Sequence, residues 1–163
     1  MQDSNENKYQ LSQIAESRQF NIILADDDDD DFDFFKEAMQ SFIPALAISR
    51  AYDGANLIKI LEQSPGSLPD LIFLDLNMPC RNGFESLSVI RKNEKWLNIP
   101  VIIYSTSAFP DQIDTTYKLG ANLYIQKPDD YNEIKQIVKK ILSLNLHDLI
   151  CRPEKEDYFL TLK

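Results

Sequence analysis

Five short apolar runs, at 21–25, 46–51, 71–74, 100–104 and 122–125, alternate along the chain with five longer stretches whose apolar residues return every three or four positions. The runs have strand length. Leu71-Ile72-Phe73-Leu74 and Val101-Ile102-Ile103-Tyr104 are apolar without alternation, the pattern of central strands covered on both faces. Between the runs, Phe32, Phe35, Met39 and Phe42 fall on one helical stripe, and Pro44 ends it. Leu57, Ile58 and Leu61 make a second stripe, closed by Ser64-Pro65-Gly66; Phe84, Leu87 and Ile90 make a third, entered through Asn82-Gly83. A fourth helix is predicted over 111–119 with Gly120 as its C-cap, and Ile134, Ile137, Val138, Ile141 and Leu142 define a fifth. Strand and helix alternating five times predict an α/β fold: a doubly wound, five-stranded parallel sheet with helices on both faces.

Three of the runs end in charge. The first leads into Asp26 and Asp27, the third into Asp75 followed by Leu76-Asn77-Met78-Pro79, and the last into Lys127-Pro128. The carboxyl ends of strands in an open parallel sheet line one crevice, so these acids and this lysine are expected to converge. Carboxylates crowded there repel one another and lose solvation. A hard divalent cation such as Mg²⁺, which takes carboxylate, water and phosphate oxygens, would neutralise them together with Lys127. The rest of the aspartate run, 28–31, reads as a solvated acidic turn at the positive end of a helix. A calcium loop is the sharper alternative, since Asp26, Asp28, Asp30 and Glu37 fall on EF-hand ligand positions. Against it, Asp31 stands where that loop needs glycine, and a strand rather than a helix precedes it.

Composition narrows the picture. The 163 residues suit one domain, and a net charge of −9 lacks the basic footprint of a nucleic-acid binder. No run is long enough for a membrane span, and the polar, acidic start is unlike a secretory signal, so the expected location is cytoplasmic. Cys80 and Cys151 form no CxxC pair and read as free thiols; His147, the lone histidine, lies outside the charged crevice. No Gly-rich phosphate loop is present.

Taken in order, Ile23-Leu24-Ala25-Asp26-Asp27, Leu74-Asp75-Leu76-Asn77-Met78-Pro79, Asn82-Gly83, Tyr104-Ser105-Thr106-Ser107 and Tyr124-Ile125-Gln126-Lys127-Pro128 resemble the receiver domain of two-component response regulators. The similarity covers about 20–145, and is greatest to the single-domain kind associated with phytochrome-like histidine kinases. It implies the flavodoxin-like strand order 2-1-3-4-5. It also implies that Asp75 accepts a phosphoryl group from a histidine kinase, with Mg²⁺ held by Asp27, Asp75 and the backbone carbonyl of Asn77, and by Asp26 mainly through water. Lys127 would pair with a phosphoryl oxygen and Ser105 would donate its hydroxyl to another. The family most often has Thr at that position; Ser keeps the donor and loses a methyl. Asn77 and Ser107 would tune dephosphorylation. Tyr124 would turn inward as a switch, reshaping a face made by the fourth helix, fifth strand and fifth helix that meets a partner or a second copy. The Lys127–Pro128 bond would be cis.

The implied division is a polar N-terminal arm at 1–19, with a helical turn near 11–18, then a receiver domain at 20–146 and an extension at 147–163. The extension is too short for a DNA-binding domain, and its Tyr158-Phe159-Leu160-Thr161-Leu162 segment reads as strand, docking arm or disorder. A phosphohydrolase of the haloacid-dehalogenase kind also forms an aspartyl phosphate, but needs a second Asp two positions after the nucleophile, where Asn77 stands. A receiver used only for binding is the third reading; it would not need all the phosphorylation residues found here.

Overall fold

The computed structural model describes residues 19–162. Six strands form one parallel sheet: β1 (Asn21–Ala25), β2 (Ala47–Ala51), β3 (Leu71–Leu74), β4 (Val101–Ser105), β5 (Leu123–Gln126) and β6 (Phe159–Leu160). Their spatial order is β2-β1-β3-β4-β5-β6. The helices are α1 (Asp29–Phe42), α2 (Gly54–Gln63), α3 (Gly83–Lys92), α4 (Pro110–Leu119), α5 (Tyr131–Ser143) and the short α6 (Leu146–Cys151), followed by a 3₁₀ turn at Lys155–Asp157. The five-strand core has the expected order. The sixth strand corrects the strand count and resolves the Tyr158 to Leu162 segment as a docked edge. The helical turn expected at 11–18 lies outside the described residues.

Period-two geometry divides the core. Ile22, Leu24, Phe73, Tyr104 and Ile125 face α1 and α5, while Ile23, Ala25, Ile72, Leu74, Ile103 and Tyr124 face the side holding α2, α3 and α4. Each of the first three helices begins on an asparagine or aspartate cap: Asp28 accepts from the Asp31 N–H, Asp53 from Asn56 and Asn82 from Glu85. Gly120 ends α4 with φ of 97°, a conformation that a Cβ would strain.

The C-terminal segment folds back over the edge of β5 that faces α4. Tyr158 is fully buried, its ring 5.0 Å from Tyr117 and 6.3 Å from Tyr124. Its hydroxyl donates to Thr116 Oγ1 at 2.9 Å. Lys155 pairs with Asp114 on α4, Arg152 donates to the Tyr117 carbonyl and lies over that ring, and Asn122 Nδ2 donates to the Leu149 carbonyl at 2.6 Å. Two lysines hold the Asp114 carboxyl below its usual value, at about 2, chiefly through hydrogen bonds from Lys118 and Lys155. Tyr158→Phe keeps the ring and loses one buried hydrogen bond, so it is expected to cost about 1 kcal/mol in urea denaturation; a loss above about 3 kcal/mol, the range of whole-ring deletion, would mean the hydroxyl organises the segment rather than trimming it.

Among the described residues no peptide bond is cis, so Lys127–Pro128 is trans, contrary to expectation. Trans is the preferred isomer even before proline. Lys127 is turned inward by other means: its N–H donates to the Ser105 carbonyl at 2.8 Å, continuing the β4–β5 ladder, and its ammonium is drawn to carboxylates. No helix among the described residues is long and apolar enough to cross a membrane.

Candidate functional site

The carboxyl ends of β1, β3 and β5 deliver their charged residues to one crevice. Asp26 leaves β1 with its N–H donating to the Ala51 carbonyl, and Asp75 leaves β3 with its N–H donating to the Ala25 carbonyl. Ladder pairing therefore fixes both backbones. Asp26 is wholly enclosed, Asp75 is 5% exposed and Asp27 faces solvent. Carboxylate oxygens of Asp26, Asp27 and Asp75 lie within 4.8 Å of one another. Behind Asp75 the α3 backbone comes so close that a Cβ on Gly83 would stand 2.3 Å from the Asp75 carbonyl oxygen and 2.8 Å from the Leu76 Cα. Only glycine permits that approach, and with it the Asn82-capped entry to α3.

Lys127 reaches over Tyr104, its Nζ 5.7 Å from the ring centre, and donates to Asp26 Oδ2 at 2.7 Å, Asp31 Oδ2 at 2.8 Å and Asp75 Oδ2 at 3.2 Å. Burial alone would pull the Lys127 ammonium below the ordinary lysine value. The carboxylates of Asp75 and Asp26, with hydrogen bonds to Asp26 and Asp31, overcome that and hold it above. Burial also lifts the Asp26 carboxyl above its usual range, outweighing the pull of Lys127 and of the Asp28 N–H; Asp75 pushes in the same direction as burial. One ammonium thus faces several carboxylates, and the remaining negative charge and oxygen-only donor set suit a hard divalent cation.

Around this centre, the Asn77 N–H donates to Asp75 Oδ1 at 3.2 Å. Ser105 is buried at the end of β4, its hydroxyl 3.4 Å from that of Ser107. Ser107 donates to Gln112 Oε1 in the first turn of α4 at 2.6 Å, and Tyr124 donates its hydroxyl to the Ser107 carbonyl at 2.6 Å. Tyr124 is fully buried beneath Tyr158 and Phe159, so its ring already sits inside. The residues singled out from the sequence (Asp26, Asp27, Asp75, Asn77, Ser105, Ser107, Tyr124 and Lys127) therefore all line or adjoin one crevice.

Sequence reasoning missed one residue. Of the aspartates at 28–31, Asp28 caps α1, Asp29 pairs with Arg50 and Asp30 is exposed, all consistent with a solvated turn. Asp31 instead reaches across to Lys127. No periodic signal marked it: Asp27 and the extended cap residue Asp28 precede α1, and Asp31, in the first turn, differs from its neighbours only in where the fold puts Lys127.

The fold and this acidic, lysine-bridged crevice define a signalling receiver. The response regulator receiver domain matches residues 22–139, and the chain belongs to that family. Among its relatives is response regulator Rcp1 of Synechocystis sp., 29% identical over 126 residues that cover 75% of this chain and 86% of that protein. The crystal structure of the phosphorylated cyanobacterial phytochrome response regulator RcpA superposes with a TM-score of 0.72 at 34% identity, covering 76% of this chain and 91% of that one. The Mn(2+)-bound form of Rcp1 gives a TM-score of 0.70 at 28% identity over 77% of this chain and 93% of that one. A probable methanogenesis regulatory protein, FilR2 of Methanothrix harundinacea, is 33% identical over 84 residues, and there the match spans only 54% of the relative.

Proposed function

We propose that this receiver accepts a phosphoryl group on Asp75 from a phosphohistidine of a partner kinase and converts it into a change at the face built from α4, β5 and the C-terminal segment. The observation that carries the reading is the Lys127 ammonium bound to Asp75 and Asp26, with Asp27 completing the acid trio. In the transfer, a carboxylate oxygen of Asp75 attacks phosphorus, the O–P bond forms, the donor's P–N bond breaks, and the imidazole leaves with its electron pair. Asp27, Asp75 and the Asn77 backbone carbonyl would hold Mg²⁺, with Asp26 acting mainly through water. Bound there, the ion supplies charge neutralisation between the acids and the incoming phosphoryl group. Lys127 orients one phosphoryl oxygen and Ser105 donates to another.

The path outward runs through Ser107. Drawing the Ser105 hydroxyl toward Asp75 removes it from Ser107, whose own hydroxyl holds Gln112 of α4 and whose carbonyl holds Tyr124. Tyr124 packs on Tyr158, so the bias reaches the C-terminal segment. A phosphoryl group adds roughly −1.5 to −2 charges and can shift two packings a few kcal/mol apart. The partner on this face is a second protein or a second copy. The kinase is of the phytochrome-like kind, a reading supported by the similarity to RcpA and Rcp1, and the encounter takes place in the cytoplasm.

Incubation with Mg²⁺ and acetyl phosphate is expected to add the mass of one phosphoryl group, and a chain that gains none would overturn the reading. Mg²⁺ alone is expected to raise the melting temperature; at a hundredfold excess over its dissociation constant the gain is about 2.7 kcal/mol. The ion needs ionised carboxylates, and the Asp26 value is raised. Protons therefore compete, and the Mg²⁺-induced shift should shrink as pH falls from neutrality toward the carboxylate range. A shift independent of pH would place the ion away from Asp26.

A further inference from the structure

Lysine carries three N–H donors and no acceptor, and each of Lys127's three reaches a different carboxylate: Asp26, Asp31 and Asp75. A phosphoryl oxygen arriving at Asp75 can gain a hydrogen bond from this ammonium only by displacing one of them. The three are not equally replaceable. Asp26 is wholly enclosed, and its other oxygen is held by the Asp28 N–H at 3.0 Å. Asp75 is the acceptor itself. The Asp31 side chain is 39% exposed, in the first turn of α1, and water is available to its carboxylate once it lets go.

We propose that Asp31 is a positioning residue that acts through Lys127: it holds the ammonium in the unphosphorylated protein and must release it for a phosphoryl group to enter, thereby slowing uptake. The inference rests on Asp75 as the acceptor. It has a kinetic signature, because Asp31 is on Lys127 before transfer, off it in the transition state, and off it in the phosphorylated protein. Its release belongs to the barrier for uptake and is absent from the barrier for loss, in which water attacks phosphorus, the Asp75 O–P bond breaks, and inorganic phosphate leaves.

The test compares the full chain with Asp31→Asn, measuring phosphoryl uptake from acetyl phosphate with Mg²⁺ by intact mass, then decay after the donor is removed. Loss of one charge-assisted, part-exposed hydrogen bond is expected to speed uptake roughly five- to tenfold and to change decay by less than about twofold. Asp30→Asn removes the same charge from the same turn with no contact to Lys127, and should leave both rates within about twofold. Asp31→Glu, which keeps the carboxylate, should restore slow uptake. The proposal is overturned if Asp31→Asn leaves uptake unchanged or slows it, if Asp30→Asn speeds uptake equally, or if uptake and decay rise together. An unmodified chain that takes up no phosphoryl group would overturn the acceptor reading itself, a result distinct from each of these.

Discussion

An Asp75→Asn chain incubated with acetyl phosphate and Mg²⁺ is expected to gain no phosphoryl mass, under conditions that load the unmodified protein. An amide oxygen is a poor nucleophile toward phosphorus, and neither Asp26 nor Asp31 is placed to replace the lost carboxylate. Both Asp26 oxygens are committed, one to the Asp28 N–H and one to Lys127, in a wholly buried position. Asp31 is on the first turn of α1 and lacks the Asn77 N–H that holds Asp75 Oδ1 in place. The substitution is nearly isosteric, so Gly83 and Leu76 keep their packing. The variant's melting curve should remain cooperative, which separates lost chemistry from lost fold. A phosphoryl group that persists in the variant would move the acceptor elsewhere.

Removing the cation should have the largest effect on stability. Lys127→Ala leaves Asp26 and Asp75 buried without their shared partner, and breaking a buried ion pair from one side costs about 3–5 kcal/mol. The expected result is a loss of that size in urea denaturation with a chelator present, with part of it recovered on adding Mg²⁺. The pH dependence has a definite sign. A lysine whose folded value lies above its unfolded one contributes fully below the unfolded value of 10.5 and loses that contribution only as pH rises through the folded one. The full deficit is therefore present at neutral pH, and it should narrow on acidification as the orphaned carboxylates take up protons. A loss below about 1 kcal/mol in chelator would show that water or a neighbouring side chain replaces the ammonium, removing the basis for Lys127 as the crevice's fixed charge.

Most of the architecture was legible because it is written in period. The unbroken apolar runs at β3 and β4 and the stripes on α1 and α5 fall within a residue or so of the observed elements. Asp26, Asp75 and Lys127 were legible because a strand's end is a position that topology converts into a place. Other features depend on tertiary context. Phe159–Leu160 is too short to show a period, and its place beside β5 depends on distant contacts, among them Tyr158 in the slot between Tyr117 and Tyr124. Asp31 was hidden among identical neighbours, three of which do what acidic turns ordinarily do. The cis bond expected before Pro128 came from resemblance alone, and no residue in the chain required it.

The return of the chain to β5 has a consequence for measurement. The Tyr124 amide donates across the sheet edge to the Tyr158 carbonyl at 2.9 Å. Its solvent deuterium exchange therefore requires the C-terminal strand to lift away, while amides of the inner strands exchange only through larger openings. Comparing the protection of this one N–H before and after phosphoryl loading would give the change in the free energy of detachment directly, with no partner protein needed.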